Sequence, residues 1–223
     1  MISARFRKAP RIERGFFSPA GRGSLVLVRL LLLLCGGIGG ALSAEADLRR
    51  AEEIVAARCF LCHGMAGESA SPLFPRLAGQ NADYLVRQLE AFRSGQRRSP
   101  AMQPQGEVLN AAEVRALGRY FESQPATAHP ANDDARLLEL GQRVFTRGGS
   151  GGGEACVDCH GQRGHGSARL PRLAGQHPEY IVRQLGLFLR AERPSENDVM
   201  REVAARLSAE EIRAVAEYLA TLD

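Results

Sequence analysis

The chain has no tryptophan, and all aromatics together make up only 6 % of its 223 residues. Each folded unit is therefore short of bulky core material, unless something other than side chains fills the interior. Lysine is nearly missing as well, since Lys8 is the only one. No alternating apolar and polar run is long enough for a sheet, and acids are almost absent from the first 44 residues, where Glu13 stands alone. Overall charge and apolar content, 24 % and 44 %, are ordinary for a globular protein and argue against long disorder.

Basic residues dominate the N-terminus: Arg5, Arg7, Lys8, Arg11, Arg14, Arg22 and Arg29. Without residues 1–44, which hold seven basic residues and one acid, 22 basic face 24 acidic residues, a balance of −2. The basic character thus belongs to a segment outside the folded part, and nucleic-acid binding, which needs a basic patch on a fold, is not expected. Within that segment an apolar run from Leu30 to Leu42 follows Arg29 and ends in small residues. This is the pattern of a secretory signal peptide, expected to be cleaved between about Ser43 and Ala46 and to take Cys35 with it. The run is shorter than the roughly 20 residues of a spanning helix, although an uncleaved anchor, and with it a weak membrane association, stays open. The basic region is long for a signal, which suggests a true start at Val26 or Val28.

The rest of the chain is written twice. The stretch "CFLCHG" at Cys59 returns as "CVDCHG" at Cys156, and "PRLAGQ" at Pro75 returns unchanged at Pro171. "YLVRQL" at Tyr84 returns as "YIVRQL" at Tyr180, and Met102, Leu109 and Tyr120 map to Met200, Leu207 and Tyr218. Two copies make a tandem pair of domains rather than a solenoid. The expected boundaries are a signal at 1–44, a first domain at 45–126, a linker at 127–134 and a second domain at 135–223. Domains this small bury little more than about 60 % of their unfolded surface and need a staple or a cofactor.

Periodicity inside each copy is helical. Leu48, Ala51 and Val55 share a face and lead into Cys59, while Tyr84, Leu85, Gln88, Leu89 and Phe92 repeat at helical spacing and stop at Gly95. Leu137, Leu138, Gly141, Val144 and Phe145, then Tyr180 to Leu189, follow the same order in the second copy. Asn110 with Glu113, and Ser208 with Glu211, read as capping boxes opening the last helix of each copy. The fold class is all-α.

Four cysteines outside the signal invite a disulfide or a zinc reading. Neither explains why His63 and His160 each follow the second cysteine of a C-x-x-C pair. C-x-x-C-H is the attachment motif of c-type haem, with two thiols placed for thioethers and an adjacent imidazole placed for iron. Two covalently bound haem c groups are therefore expected, on Cys59, Cys62 and His63 and on Cys156, Cys159 and His160. A matched second axial ligand is available in Met102 and Met200, 39 and 40 residues after the respective histidines. Met65 competes in the first copy, but Gln162 replaces it in the second. His129, His165 and His177 have no histidine counterpart in the repeat and are not expected to bind iron. Thioether ligation favours Fe(II) and raises the potential; with the sixth position filled, electron transfer is favoured over catalysis. The run "GGSGGG" at Gly148 lacks a following Lys-Ser or Lys-Thr and reads as a flexible loop rather than a phosphate cradle. Arg97, Arg98, Glu210 and Glu211 read as solvated helix faces.

Over roughly Glu45 to Asp223 the paired "CxxCHG", "PRLAGQ" and "Y(L/I)VRQL" motifs and the distal methionines resemble the dihaem cytochrome c4 family. The second copy is the closer match; in the first, Pro104 and Gly106 follow Met102, and Ala101 stands where the family often has another Met. The resemblance implies two tandem class I cytochrome c domains related by a pseudo-twofold axis, with haem propionates near their interface. It implies carbonyls of Pro75 and Pro171 against the proximal imidazoles, Leu77 and Leu173 on the rings, and Arg76 and Arg172 as propionate partners. It also implies a periplasmic carrier, not an enzyme, that moves single electrons from a quinol-oxidising complex to a terminal oxidase. The alternative is a dihaem subunit of a dehydrogenase, such as one paired with a sulfide-oxidising flavoprotein. With Lys8 ahead of the cleavage site, charge steering toward any partner must use Arg or acids.

Overall fold

In a computed structural model the described residues are 44–130 and 133–223. The signal segment, its cleavage site up to Ser43, Cys35 and residues 131–132 of the linker lie outside them. Among the described residues every regular element is helical and no strand occurs.

Each half assembles its own core. In the first, α1 (44–54) passes through a π-helical turn, Val55–Cys59, into the short α2 (Phe60–His63). π turns inside helices are frequent at functional sites, and this one ends on the first cysteine of the motif. α3 (Ala82–Arg93), α4 (Gln103–Val108) and α5 (Ala111–Glu122) complete the half. Ala51, Ile54, Val55, Leu85, Leu117 and Phe121 form its buried centre, with Cys59 and Leu77 packed against it. Arg50 pairs with Glu113 and Arg119 with Asp47 across α1 and α5, at 2.7 Å each.

The second half repeats the plan with α6 (Ala135–Arg147), α7 (Cys156–His160), α8 (Pro178–Leu189), α9 (Val199–Ala205) and α10 (Ala209–Ala220). Val144, Phe145, Ile181, Leu185, Val215 and Leu219 form a separate core, and Cys156, Leu173 and Met200 pack against it. α6 and α10 cross so closely that a Cβ on Gly141 would overlap the Ala214 carbonyl. Both expected capping boxes are formed, Asn110 with Glu113 and Ser208 with Glu211.

The halves differ before the C-x-x-C motif. Where α1 runs on into α2, α6 stops at Gly148 (φ 85°) and residues 148–155 loop over the end of α9. Parts of this glycine run come close to the end of α9: a Cβ on Gly151 would meet the Arg206 carbonyl and one on Gly149 the Leu207 side chain, whereas one on Gly152 would meet nothing. Glu211 is not a solvated face residue. It is buried and accepts the N–H groups of Ser208 at 2.8 Å and Ser150 at 2.6 Å, the Ser208 bond foremost in holding its carboxyl below the usual range.

Residues 44–223 form one compact unit, and the contacts between the halves are reciprocal. Asn81 Nδ2 donates to the His165 carbonyl at 3.2 Å, while His177 Nε2 lies 2.9 Å from the Ser69 carbonyl. Arg87 reaches the Arg169 carbonyl at 2.6 Å, and Arg183 the Leu73 carbonyl at 2.7 Å. Arg97 binds Tyr180 Oη and Gln184 Oε1 across the seam, and Arg193 binds Tyr84 Oη and Gln88 Oε1. In each pair the two residues stand 96 apart, 97 and 193 for example. A patch that contacts its own copy in this way is the signature of a twofold arrangement. Arg97 is thus half-buried at the seam and not solvated, with its guanidinium also 4.6 Å from the Phe92 ring centroid.

Candidate haem sites

The two C-x-x-C-H segments fold alike. A glycine with positive φ, Gly64 (78°) or Gly161 (80°), ends each short helix directly after the histidine. A side chain there would be strained, so the "HG" ending lets the chain turn back over the imidazole. The return segment brings Pro75 to His63 and Pro171 to His160, with Nδ1 at 2.9 and 3.0 Å from the respective carbonyl oxygen.

That hydrogen bond settles the tautomer. A carbonyl can only accept, so Nδ1 carries the proton and Nε2 the bare lone pair. Both imidazoles are 5 % exposed, and burial lowers their proton affinity, which leaves them neutral at neutral pH. His63 Nε2 is buried with no hydrogen-bond partner. A buried acceptor without a partner costs about 1–3 kcal/mol, a cost removed if the nitrogen binds a metal. The site therefore fits an iron that would be held through His63 Nε2.

Cys59, Cys62, Cys156 and Cys159 are all free. Burial pushes the Cys59 and Cys156 thiols up to about 11, which disfavours their thiolate forms at neutral pH. Among the described residues no three His, Cys, Asp or Glu side chains gather to hold a metal ion, so the four-cysteine zinc arrangement is not formed. Beside Cys156 a cavity of about 210 Å³ opens between Val144, Val203, Leu207 and the glycine loop.

The methionines occupy matching places. Met102 is half-buried at the start of α4, its N–H on the Ser99 carbonyl; Met200 lies in the first turn of α9, its N–H on Ser195 Oγ, within the same packed cluster as Cys156 and Leu173. Met65 is 44 % exposed. The arginines after the two prolines face the seam: Arg76 Nη1 donates to the Thr127 and Gly175 carbonyls, and its Nε is buried without a partner. Arg172 Nε reaches the Ala174 carbonyl at 3.2 Å.

The residues that sequence reasoning passed over are Gln80 and Gln176. The Gln80 side chain accepts the Arg172 N–H at 2.7 Å and donates to the Arg172 carbonyl at 2.9 Å. Gln176 does the same to Arg76, at 2.8 and 3.0 Å. The available signal was the exact repetition of a polar residue in "PRLAGQ", where packing alone would tolerate change.

Comparison with known proteins accords with this geometry. Residues 46–121 match the model of the family described as cytochrome c oxidase, cbb3-type, subunit III, and residues 138–223 match that of cytochrome c. Cytochrome c4 of Azotobacter vinelandii is 37 % identical over 211 residues, covering 86 % of this chain and 96 % of the relative. A protein named thiosulfate dehydrogenase electron acceptor, from Stutzerimonas stutzeri strain A1501, is 39 % identical over 169 residues, covering 74 % and 78 %. The crystal structure of reduced cytochrome c4 from Pseudomonas stutzeri superposes with a TM-score of 0.73 at 34 % identity, covering 81 % of this chain and 98 % of that one. Two covalent haem c groups and an electron-transfer role with redox partner proteins follow from this kinship. The chain belongs to the cytochrome c4 family, as a tandem of two cytochrome c domains.

Proposed function

We propose that this is an exported dihaem carrier that takes single electrons from a quinol-oxidising complex and delivers them to a terminal oxidase in the periplasm. Residues 1–44 serve as its signal, residues 45–126 and 135–223 as its two domains, and residues 127–134 as their linker. Cys59 and Cys62 would hold one haem and Cys156 and Cys159 the other, with His63 and Met102, and His160 and Met200, as the iron ligands. Bound there, each haem supplies a one-electron Fe(III)/Fe(II) couple. The observation that carries this reading is the His63 ring: buried, held through Nδ1 by Pro75, with a partnerless Nε2, in a motif whose two thiols are free.

The remaining residues have supporting parts. Pro75 and Pro171 orient the imidazoles and raise their basicity. Leu77 and Leu173, each packed against the core of its own half, would lie against the rings. Arg76 and Arg172 offer guanidinium donors to propionates, and the buried Arg76 Nε without a partner supports that part.

A second reading, favoured by the 39 % identical relative named as an electron acceptor, is service to a dehydrogenase rather than to a quinol-oxidising complex. Stopped-flow mixing separates them. The carrier reading expects rapid reduction by native membranes given quinol and re-oxidation by the same membranes. No reduction by quinol, together with co-purification of a stoichiometric dehydrogenase, would overturn it. No helix among the described residues is long and apolar enough to cross a membrane.

A further inference from the structure

One peptide group in each half is shared between the halves. The Pro75–Arg76 peptide presents its carbonyl to His63 Nδ1 at 2.9 Å and its N–H to Gln176 Oε1, in the other half, at 2.8 Å. The Pro171–Arg172 peptide presents its carbonyl to His160 Nδ1 at 3.0 Å and its N–H to Gln80 Oε1 at 2.7 Å. The carbonyl and N–H of a trans peptide point in opposite directions and belong to one conjugated unit, so each forms the middle link of a chain: imidazole, peptide, glutamine of the opposite half.

Hydrogen bonds linked in this way polarise one another. An acceptor on the Arg76 N–H makes the Pro75 oxygen more electron-rich, which draws the His63 Nδ1 proton outward and makes Nε2 a stronger donor. The glutamines are well held for this task. Gln80 and Gln176 are each 6 % exposed, and each also donates through Nε2 to the carbonyl of the same arginine, at 2.9 and 3.0 Å. The amide is thereby fixed with its oxygen toward the N–H. Packing alone would be met by an apolar side chain, yet both copies keep the same polar group in the same two-bond contact.

We infer that Gln176 and Gln80 are positioning residues that tune the iron-ligating imidazole of the opposite half, Gln176 acting on His63 and Gln80 on His160. The inference rests on the assignment of those histidines as axial ligands. Each haem potential then depends on whether the partner half is docked, so the seam couples the two one-electron sites through bonds as well as through space.

The test uses the full-length holoprotein with Gln176→Leu and Gln176→Glu. In the ferrous, diamagnetic state the His63 Nδ1–H resonance is expected to move upfield in Gln176→Leu, with the His160 resonance unmoved. NMR-resolved redox titration is expected to show the potential of the first haem rising more than that of the second, which shares its half with the substitution. Gln176→Glu keeps an oxygen acceptor and is expected to move the His63 proton the opposite way, a reversal that simple loosening of the seam cannot produce. Equal shifts at both haems, a shift confined to the second haem, or the same direction for Leu and Glu would overturn the inference. Unaltered protein lacking low-spin, histidine-ligated spectra would overturn the ligand assignment, and this inference with it.

Discussion

Arg97 of the first half donates to Tyr180 Oη of the second at 2.9 Å, and its counterpart Arg193 donates to Tyr84 Oη at 2.6 Å. Among the described residues neither guanidinium has a carboxylate as a hydrogen-bond partner; each is held by a phenol, by glutamine oxygens and by the face of a phenylalanine. Arg193 is only 9 % exposed, so removal of an acceptor leaves a largely buried charge less well solvated. Hydrogen bonds to charged groups are worth about 1.5–3 kcal/mol. Tyr84→Phe is expected to lower stability by that order, and Tyr180→Phe somewhat less because Arg97 is more exposed. Denaturant unfolding of the holoprotein reads both; no change in either would mean the tyrosines merely fill space.

Gly141 sets the approach of α6 to α10. Alanine has a helix propensity about 1 kcal/mol better than glycine, which alone would stabilise α6. Against this stands a backbone carbonyl, that of Ala214, which cannot swing aside as a side chain could. Overpacking costs about 1–3 kcal/mol or more, so the clash wins. Gly141→Ala is expected to lower the unfolding midpoint of the second half and leave that of the first unchanged.

The seam carries an acid sensitivity. His129 and His177 lie with ring centroids 4.8 Å apart. Burial first, then Arg76 and His177, lower His129 to about 4, while Glu179 acts weakly in the opposite direction. The folded value is below the unfolded one near 6.5, so the unfolded chain takes up the proton first. Stability is therefore whole above about 6.5 and declines as pH falls toward 4. His129→Gln is expected to flatten thermal midpoints across that window. An unchanged slope would place the acid sensitivity elsewhere.

Met200→His is expected to leave the second haem attached through Cys156 and Cys159 and to lower its potential substantially, since axial ligands help set haem potentials over about 0.8 V. Potentiometry of the variant checks this. An unchanged value would exclude Met200 as ligand.

Much of the architecture was legible in the chain, because the cues are local. The Asn110 and Ser208 caps, the helical spacing of Tyr84 to Phe92 and the C-x-x-C-H motifs all act within a few residues. What escaped reading involves partners far away in sequence. Arg97 reads as part of a solvated helix face, because nothing near it reveals Tyr180 and Gln184, 83 and 87 residues on. Glu211 was legible as a cap, yet its second role, holding Ser150 of the glycine loop, depends on a fold that brings together residues 61 apart. Gln80 and Gln176 stood in plain view as repeated letters; repetition shows that a residue is needed twice, and only the twofold seam shows for what.

The most direct test of two covalent haems as the missing core of these aromatic-poor domains is the mass of the mature protein together with its visible spectrum. The expected result is a chain beginning between about Ser43 and Ala46 that carries two haem masses, with low-spin, methionine-ligated bands from both. A colourless protein, a single haem, or four titratable thiols in a folded chain would contradict it.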